Sequence, residues 1–368
     1  MIQRVAILGV GLIGGSLALA WKKNRADLTL VGYDEQAVLE EALQRGLIDE
    51  AAPTLAEAVR AADLVVLAVP LAPMLHLLEE AAPLLQPGTL VTDVGSVKGP
   101  IMAQARQVLT EVTPFIGGHP MAGAERGSAA NADAFLFENA TYVLCPPDGL
   151  TADDLTERYA DFVALIEATG ARVLILDADR HDRIAATVSH LPQLLATMLM
   201  NYAAERNADD DAFLRLAAGG FRDMTRIASS PFAMWQHILL ANEGPILDAL
   251  AGFAAALRKT RNRIIEEDLE AMGEAFSEAR RVRDTIPRDT KGFLHPLADI
   301  YVYAEDRPGV LAHITGALFD ADINIKDIEL LKIREGTGGA FRLSFASEAL
   351  ADAAVAVLER AGCRAHQL

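Results

Sequence analysis

Two short stretches carry residues suited to proton and anion chemistry. In Gly117-Gly118-His119-Pro120-Met121-Ala122-Gly123 a histidine stands among glycines, with no periodic apolar face around it to make it a core filler. An imidazole with an ordinary pKa of about 6.5 is mostly neutral at pH 7 and can accept a proton. In Gly95-Ser96-Val97-Lys98-Gly99 a hydroxyl follows directly on an apolar run. A third stretch, Arg4 to Ser16 (RVAILGVGLIGGS), places Gly9, Gly11 and Gly14 at the spacing that binds a dinucleotide. There the first glycine allows a tight turn, the second admits the pyrophosphate, and the third lets helix pack on strand. Asp34 lies about 20 residues further on, where a carboxylate bonds the adenosine ribose and repels a 2′-phosphate, so NAD is favoured over NADP. Gly9, Gly11, Leu12, Ile13, Gly14, Asp34 and Val69 are the candidate cofactor contacts.

These residues need elements to hold them. Val5 to Leu8 and Leu64 to Val69 are continuous apolar runs of the kind buried on both faces of a parallel sheet, and Leu28 to Gly32 and Leu90 to Val94 are further strand-like runs. Helical segments separate them (Gln36 to Arg45, Leu55 to Ala61, Ala72 to Leu85), which predicts a doubly wound parallel sheet of Rossmann type. Ligands of such sheets bind beyond the carboxyl ends of the strands, and Ser96 and His119 both follow strand-like runs. The sheet continues through Phe115-Ile116, Thr141 to Leu144 and Arg172 to Leu176. Long helical stretches follow: His181 to Asn201, Ala212 to Arg226, Met234 to Asn242 and Gly244 to Glu270. Asp284 to Pro296 is rich in breakers and charges and reads as a linker. Beyond it the order is βαββαβ, with a glycine-dense turn at 335–339. The expected domains are therefore 1–177, 178–287 and 297–368.

With 368 residues, two or three domains are expected. A net charge of −18 and a pI near 4.9 argue against nucleic-acid binding and against attraction to anionic membranes, so an anionic substrate needs a locally basic pocket. Cys145 and Cys363 lack metal-type spacing, which points to no metal site and to a reducing cytoplasm. The apolar N-terminus is punctuated by glycines rather than built as a signal peptide, and prolines 70 and 73 break the apolar run 64–78, so no membrane span is expected.

The stretches DVGSVKG (93–99) and GGHPMAGAERGS (117–128), with SHLPQ (189–193) and GGFRDMTRIASSPFAMW (219–235), resemble the prephenate/arogenate dehydrogenase family of tyrosine biosynthesis. The resemblance covers roughly residues 1 to 290. It implies NAD-dependent oxidative decarboxylation of prephenate to 4-hydroxyphenylpyruvate, or of arogenate to tyrosine, by a homodimer paired through its helical domain. It assigns His119, Ser96 and His190 to catalysis and Arg226, Trp235, Glu125 and Asp223 to the substrate, the last two with Arg226 as a gating ion-pair network; Arg222 is similar in kind. Residues from 297 resemble an ACT domain, a ferredoxin-like module that senses amino acids. The matching positions Asp306, Gly309 and Asn324 imply an effector site for an aromatic amino acid, with tyrosine favoured as the end product. A β-hydroxyacid dehydrogenase would instead require a catalytic lysine in the first helices after the sheet, and no lysine occurs between Lys98 and Lys259. A non-catalytic sensor would not need the set Ser96, His119 and Arg226.

Overall fold

The structure, a computed structural model, describes residues 1–123, 128–285, 297–305, 307–334 and 338–367. Glu125, Asp306 and most of the expected linker lie outside the described residues. By contact the chain forms two units, Met1–Glu278 and Ala279–Leu368.

The first unit opens with β1 (Arg4–Leu8), α1 (Leu12–Asn24), β2 (Thr29–Tyr33), α2 (Gln36–Gln44), β3 (Glu50–Ala51), α3 (Leu55–Val59), β4 (Leu64–Leu67), α4 (Leu71–Ala81), β5 (Leu90–Asp93), α5 (Gly99–Val108) and β6 (Phe115–Pro120). Then come β7 (Thr141–Cys145), α6 (Ala152–Arg158), α7 (Ala160–Glu167) and β8 (Arg172–Ile175). All eight strands join one sheet in the order β3-β2-β1-β4-β5-β6-β7-β8. Val5 and Ile7 of β1 face a core shared with α1, α2 and α7, while Ala6 and Leu8 face a second core shared with α3, α4 and α5. Helices on both faces explain the near-continuous apolar runs of the central strands.

The doubly wound sheet is parallel as expected from β3 through β6, and departs from parallel at one pairing. β7 pairs antiparallel with β6, and β8 runs parallel to β7. A parallel return needs a crossover element, and among the described residues only a short 3₁₀ turn, Ala129–Asn131, lies between β6 and β7. The chain therefore doubles back. One boundary needs correction: β6 does not end at Ile116 but runs on to Pro120, so His119 lies inside a strand, opposite Val143.

The helical part follows the sheet: α8 (Ala178–Ala185), a π-helical turn (Ala186–His190), α9 (Leu191–Asp209), α10 (Ala212–Arg215), α11 (Gly219–Thr225), a 3₁₀ turn (Arg226–Ser229), α12 (Phe232–Ala241), α13 (Glu243–Ile265) and α14 (Leu269–Thr285). The helix expected over 244–270 is broken, because Glu267 takes a left-handed conformation at φ 54°. Among the described residues no single helix is long and apolar enough to cross a membrane.

In the second unit β9 (Ala298–Ala304), α15 (Val310–Asp320), β10 (Asp327–Arg334), β11 (Gly338–Phe345), α16 (Glu348–Arg360) and β12 (Arg364–Gln367) give the expected βαββαβ order. The sheet order is β10-β11-β9-β12, antiparallel throughout. Ile300, Val302, Leu343 and Phe345 pack under Ile314, Leu318, Ala354 and Leu358 of the two helices.

Trp21 shows how the first unit is locked. It is fully buried, and its Nε1 donates to the Leu165 carbonyl at 2.8 Å, tying α1 to α7. Trp21→Ala removes the largest buried side chain and the bond together, and is expected to cost about 3–5 kcal/mol of stability, read as a lowered urea midpoint.

Candidate active site

At the carboxyl end of β1 the glycines make the turn into α1. A Cβ on Gly9, at φ +102°, would lie 2.6 Å from the Ala68 carbonyl oxygen and 2.7 Å from Val69 Cγ1. On Gly14 it would lie 2.0 Å from the Gly9 carbonyl oxygen, whereas on Gly11 it would meet nothing within 4 Å. Open space at Gly11, an α1 N-terminus with no side-chain cap, and Asp34 at the end of β2 together fit a dinucleotide. Asp34 is itself tied into the turn: one oxygen accepts from Val10 N at 2.7 Å, the other from Glu35 N at 2.7 Å.

At the ends of β5 and β6 stands a buried ion pair that the sequence reading missed. Lys98 and Asp93 are both fully buried and joined directly. Lys98 Nζ also donates to the Gly118 carbonyl at 2.6 Å. Asp93 accepts from Gly95 N at 2.8 Å and from Gly118 N at 3.0 Å. The pair thus fixes both the loop carrying Ser96 and the strand carrying His119. Ser96 is half-buried.

His119 is buried, and its Nδ1 lies 2.8 Å from His181 Nε2. His181 Nδ1 lies 2.7 Å from Asp182 Oδ1. Burial, the Lys98 ammonium and the two other histidines, His181 and His190, hold the His119 pKa well below the ordinary value. It is a neutral imidazole.

His190 closes the π-helical turn and is also buried. The Asn242 amide nitrogen donates to the Asp182 carbonyl at 2.9 Å and stands 3.1 Å from His190 Nδ1. A carbonyl can only accept, so the NH₂ group is at that end and His190 Nδ1 also accepts; its own proton is on Nε2. Burial lowers the pKa of His190 to about 4, with Asp182 opposing and His181 adding to the effect. The Trp235 ring meets His190 edge-on with centroids 5.9 Å apart. Trp235 Nε1 is buried and makes no hydrogen bond among the described residues.

Arg226 and Asp223 lie on the exposed side of the α11 helix and the turn that follows it. That turn is held to α9 by Gln193, whose Nε2 donates to the Ile227 carbonyl at 2.9 Å. The structure therefore groups His119, His190 and Trp235 with Lys98, Asp93, His181, Asp182 and Asn242. Sequence could point only to the types: Asp93 and Lys98 stand in the same short stretch as Ser96, and His181-Asp182 opens the first helix after the sheet.

The two neutral histidines make stability depend on pH. Their folded pKa values lie below the unfolded value of about 6.5, so as pH falls below that value the unfolded chain binds protons that the folded chain refuses. Stability is therefore present above about pH 6.5 and is lost as pH falls toward 4, the range set by His190. Urea midpoints measured from pH 7.5 to 5 should fall, and fall less steeply in His190→Gln.

Models of the prephenate dehydrogenase nucleotide-binding domain, the prephenate dehydrogenase dimerization domain and the ACT domain match residues 17–175, 177–278 and 298–363. The prephenate dehydrogenase of Bacillus subtilis is 38% identical over 352 residues, 95% of this chain and 93% of its own length. Prephenate dehydrogenase from A. aeolicus, solved with hydroxyphenyl propionate and NAD+, is 29% identical with a TM-score of 0.71, over 78% of this chain and 99% of that one. Synechocystis arogenate dehydrogenase is 30% identical with a TM-score of 0.68, over 77% and 99%. With a buried neutral histidine beside a dinucleotide fold, and with these matches along nearly its whole length, the chain belongs to the prephenate dehydrogenase family.

Proposed function

We propose that this chain catalyses the NAD-dependent oxidative decarboxylation of prephenate to 4-hydroxyphenylpyruvate. The observation that carries this reading is His119, buried, neutral and gripped from both the sheet and the helices, in a member of that family. Arogenate, which bears an amino group in place of the side-chain keto group, is the less favoured substrate, since the Bacillus subtilis relative, matched over 95% of this chain, is a prephenate dehydrogenase.

The cofactor's nicotinamide supplies the hydride acceptor when bound; Gly9, Gly11 and Gly14 would seat its pyrophosphate, with Leu12, Ile13, Val69 and Asp34 around it. His119 accepts the proton of the ring hydroxyl as the carbinol carbon loses hydride. The bond to the ring carboxylate then breaks, carbon dioxide leaves, and the electron pair completes the aromatic ring. The proton returns to the phenolate oxygen, so none is gained or lost overall. Ser96 orients the hydroxyl. His190 offers its Nε2–H, and the Trp235 indole its N–H, to the substrate's carboxylates. Arg226 anchors a carboxylate with a planar fork of donors, and Asp223 sits one helical turn before it.

A homodimer fits the helical part. Met198, Tyr202, Phe213, Leu240, Leu247 and Leu257 are exposed apolar side chains within the residues matched by the dimerization-domain model. Burial of such a surface against a second copy is its natural end.

The second unit supports an amino-acid effector, with tyrosine the favoured one. A cavity of about 190 Å³ is lined by Glu305, Arg307, Gly309, Leu330 and Phe341, among others. Gly309, at φ +88°, caps the N-terminus of α15, whose amides suit a carboxylate, and Leu330 and Phe341 suit an apolar side chain. Asn324 lies in the loop after α15 and is not part of this lining.

Absorbance at 340 nm with each pairing of prephenate or arogenate and NAD or NADP tests the assignment; prephenate with NAD should give the highest kcat/KM, and no turnover of prephenate would sink it. His119→Asn should lower kcat by roughly 10² to 10⁴-fold with little change in KM. Arg226→Ala should instead weaken substrate binding by about 2–5 kcal/mol. Chains cut within 286–296 should remain active and lose inhibition by tyrosine, whereas undiminished sensitivity would place the inhibitor at the active site.

A further inference from the structure

We propose that His181 and Asp182 are positioning residues that fix His119 in one tautomer, with the proton on Nδ1 and the lone pair on Nε2. The inference rests on the reading of His119 as the proton acceptor. Asp182 Oδ1 accepts from Lys98 N at 2.8 Å and Oδ2 from Gly99 N at 2.8 Å. Backbone amides can only donate, so the Asp182 carboxylate accepts at both oxygens, and His181 Nδ1, 2.7 Å from Oδ1, donates to it. In the proposed arrangement His181 has its single N–H on Nδ1, so its Nε2 carries a lone pair and His119 Nδ1, 2.8 Å away, donates to it. His119 Nε2 is left as the basic atom. Reversal of any one bond in this chain would put a proton on Nε2 and leave nothing to accept the hydroxyl proton.

The geometry allows no slack. His181 is 2% exposed and Asp182 6%, so no bulk water competes for either bond. The rings of His119 and His181 are inclined at 73° with centroids 5.0 Å apart, and their facing nitrogens are 2.8 Å apart. Asp182 reaches the second histidine as well: its carbonyl holds Asn242, which holds His190 at Nδ1. One residue at the start of the helical part thus orders the protons of both buried imidazoles.

The test is a set of variants of the full-length enzyme. His181→Leu should lower kcat about 10- to 100-fold, the cost of losing an orienting partner, with KM for prephenate and affinity for NAD changed less than about twofold. His181→Gln, whose amide oxygen can accept from Nδ1–H, should restore kcat to within about fivefold of the parent. In a His119→Asn background, His181→Leu should cost less than about a further twofold in kcat, because no tautomer remains to fix. Nitrogen-15 spectra of histidine-labelled parent enzyme at pH 7.5 should show His119 protonated at Nδ1 and bare at Nε2. A kcat for His181→Leu within twofold of the parent, equal losses for Leu and Gln, additive losses in the His119→Asn background, or a proton on Nε2 would each overturn the proposal. If His181→Leu does not fold, His181→Gln and the parent spectrum decide. An active His119→Asn enzyme would remove the base and its positioning together, whereas inactive His119→Asn beside fully active His181→Leu removes only the positioning.

Discussion

Lys98 is where the first unit is held together functionally. Its ammonium and the Asp93 carboxylate are both withdrawn from water, which costs several kcal/mol per ion, and their attraction together with the hydrogen bonds around them offsets that cost without a clear surplus. The pair's contribution is placement. Through Asp93 it pins the Gly95 and Gly118 amides, through Nζ it pins the Gly118 carbonyl, and through its own backbone N–H Lys98 binds Asp182 on α8. Loop, strand and helix are fixed relative to one another by one residue. The same charge disfavours protonation of His119, so geometry and electrostatics have a common source.

That arrangement constrains its neighbours. Gly118 has to be glycine because a Cβ there would lie 2.3 Å from the Asp93 carbonyl oxygen. His119 can follow it in the strand because β6 has by then left β5 and taken β7 as its partner. The departure from parallel pairing is thus what lets a strand residue reach the active site. On the helical side the π-helical turn does comparable work, since an extra residue in the turn re-aims His190, and such turns recur at functional sites.

Much of this was legible in the sequence, and the reasons for the rest are physical. Continuous apolar runs marked β1 and β4 because burial on both faces demands them, and strand-like runs marked β2 and β5, while β3, two residues long, leaves no periodic trace. The long helical stretches were visible as periodicity, but their breaks were not: Glu267 has nothing in its residue type that announces φ 54°. His119 and His190 could be singled out by type and neighbourhood. Their partners could not, because Lys98 meets Asp182 across 84 residues and Asn242 meets His190 across 52, and each is an ordinary polar residue in its local setting. Asp223 and Arg226 fall in one helical stretch of the sequence, and the structure adds that the helix tightens to 3₁₀ at Arg226.

Asp34 carries a consequence for how this enzyme can evolve. In the proposed cofactor site its carboxylate would bond the adenosine ribose, and one of its oxygens is already the acceptor for Val10 N, inside the glycine turn. A side chain with no acceptor at this place would release that amide and loosen the turn on which a dinucleotide's pyrophosphate would rest, whereas Asp34→Asn keeps an oxygen for Val10 N. Drift from one nicotinamide cofactor to the other through this position is therefore confined to side chains that still hold the turn, and any other replacement needs a second change that re-anchors Val10.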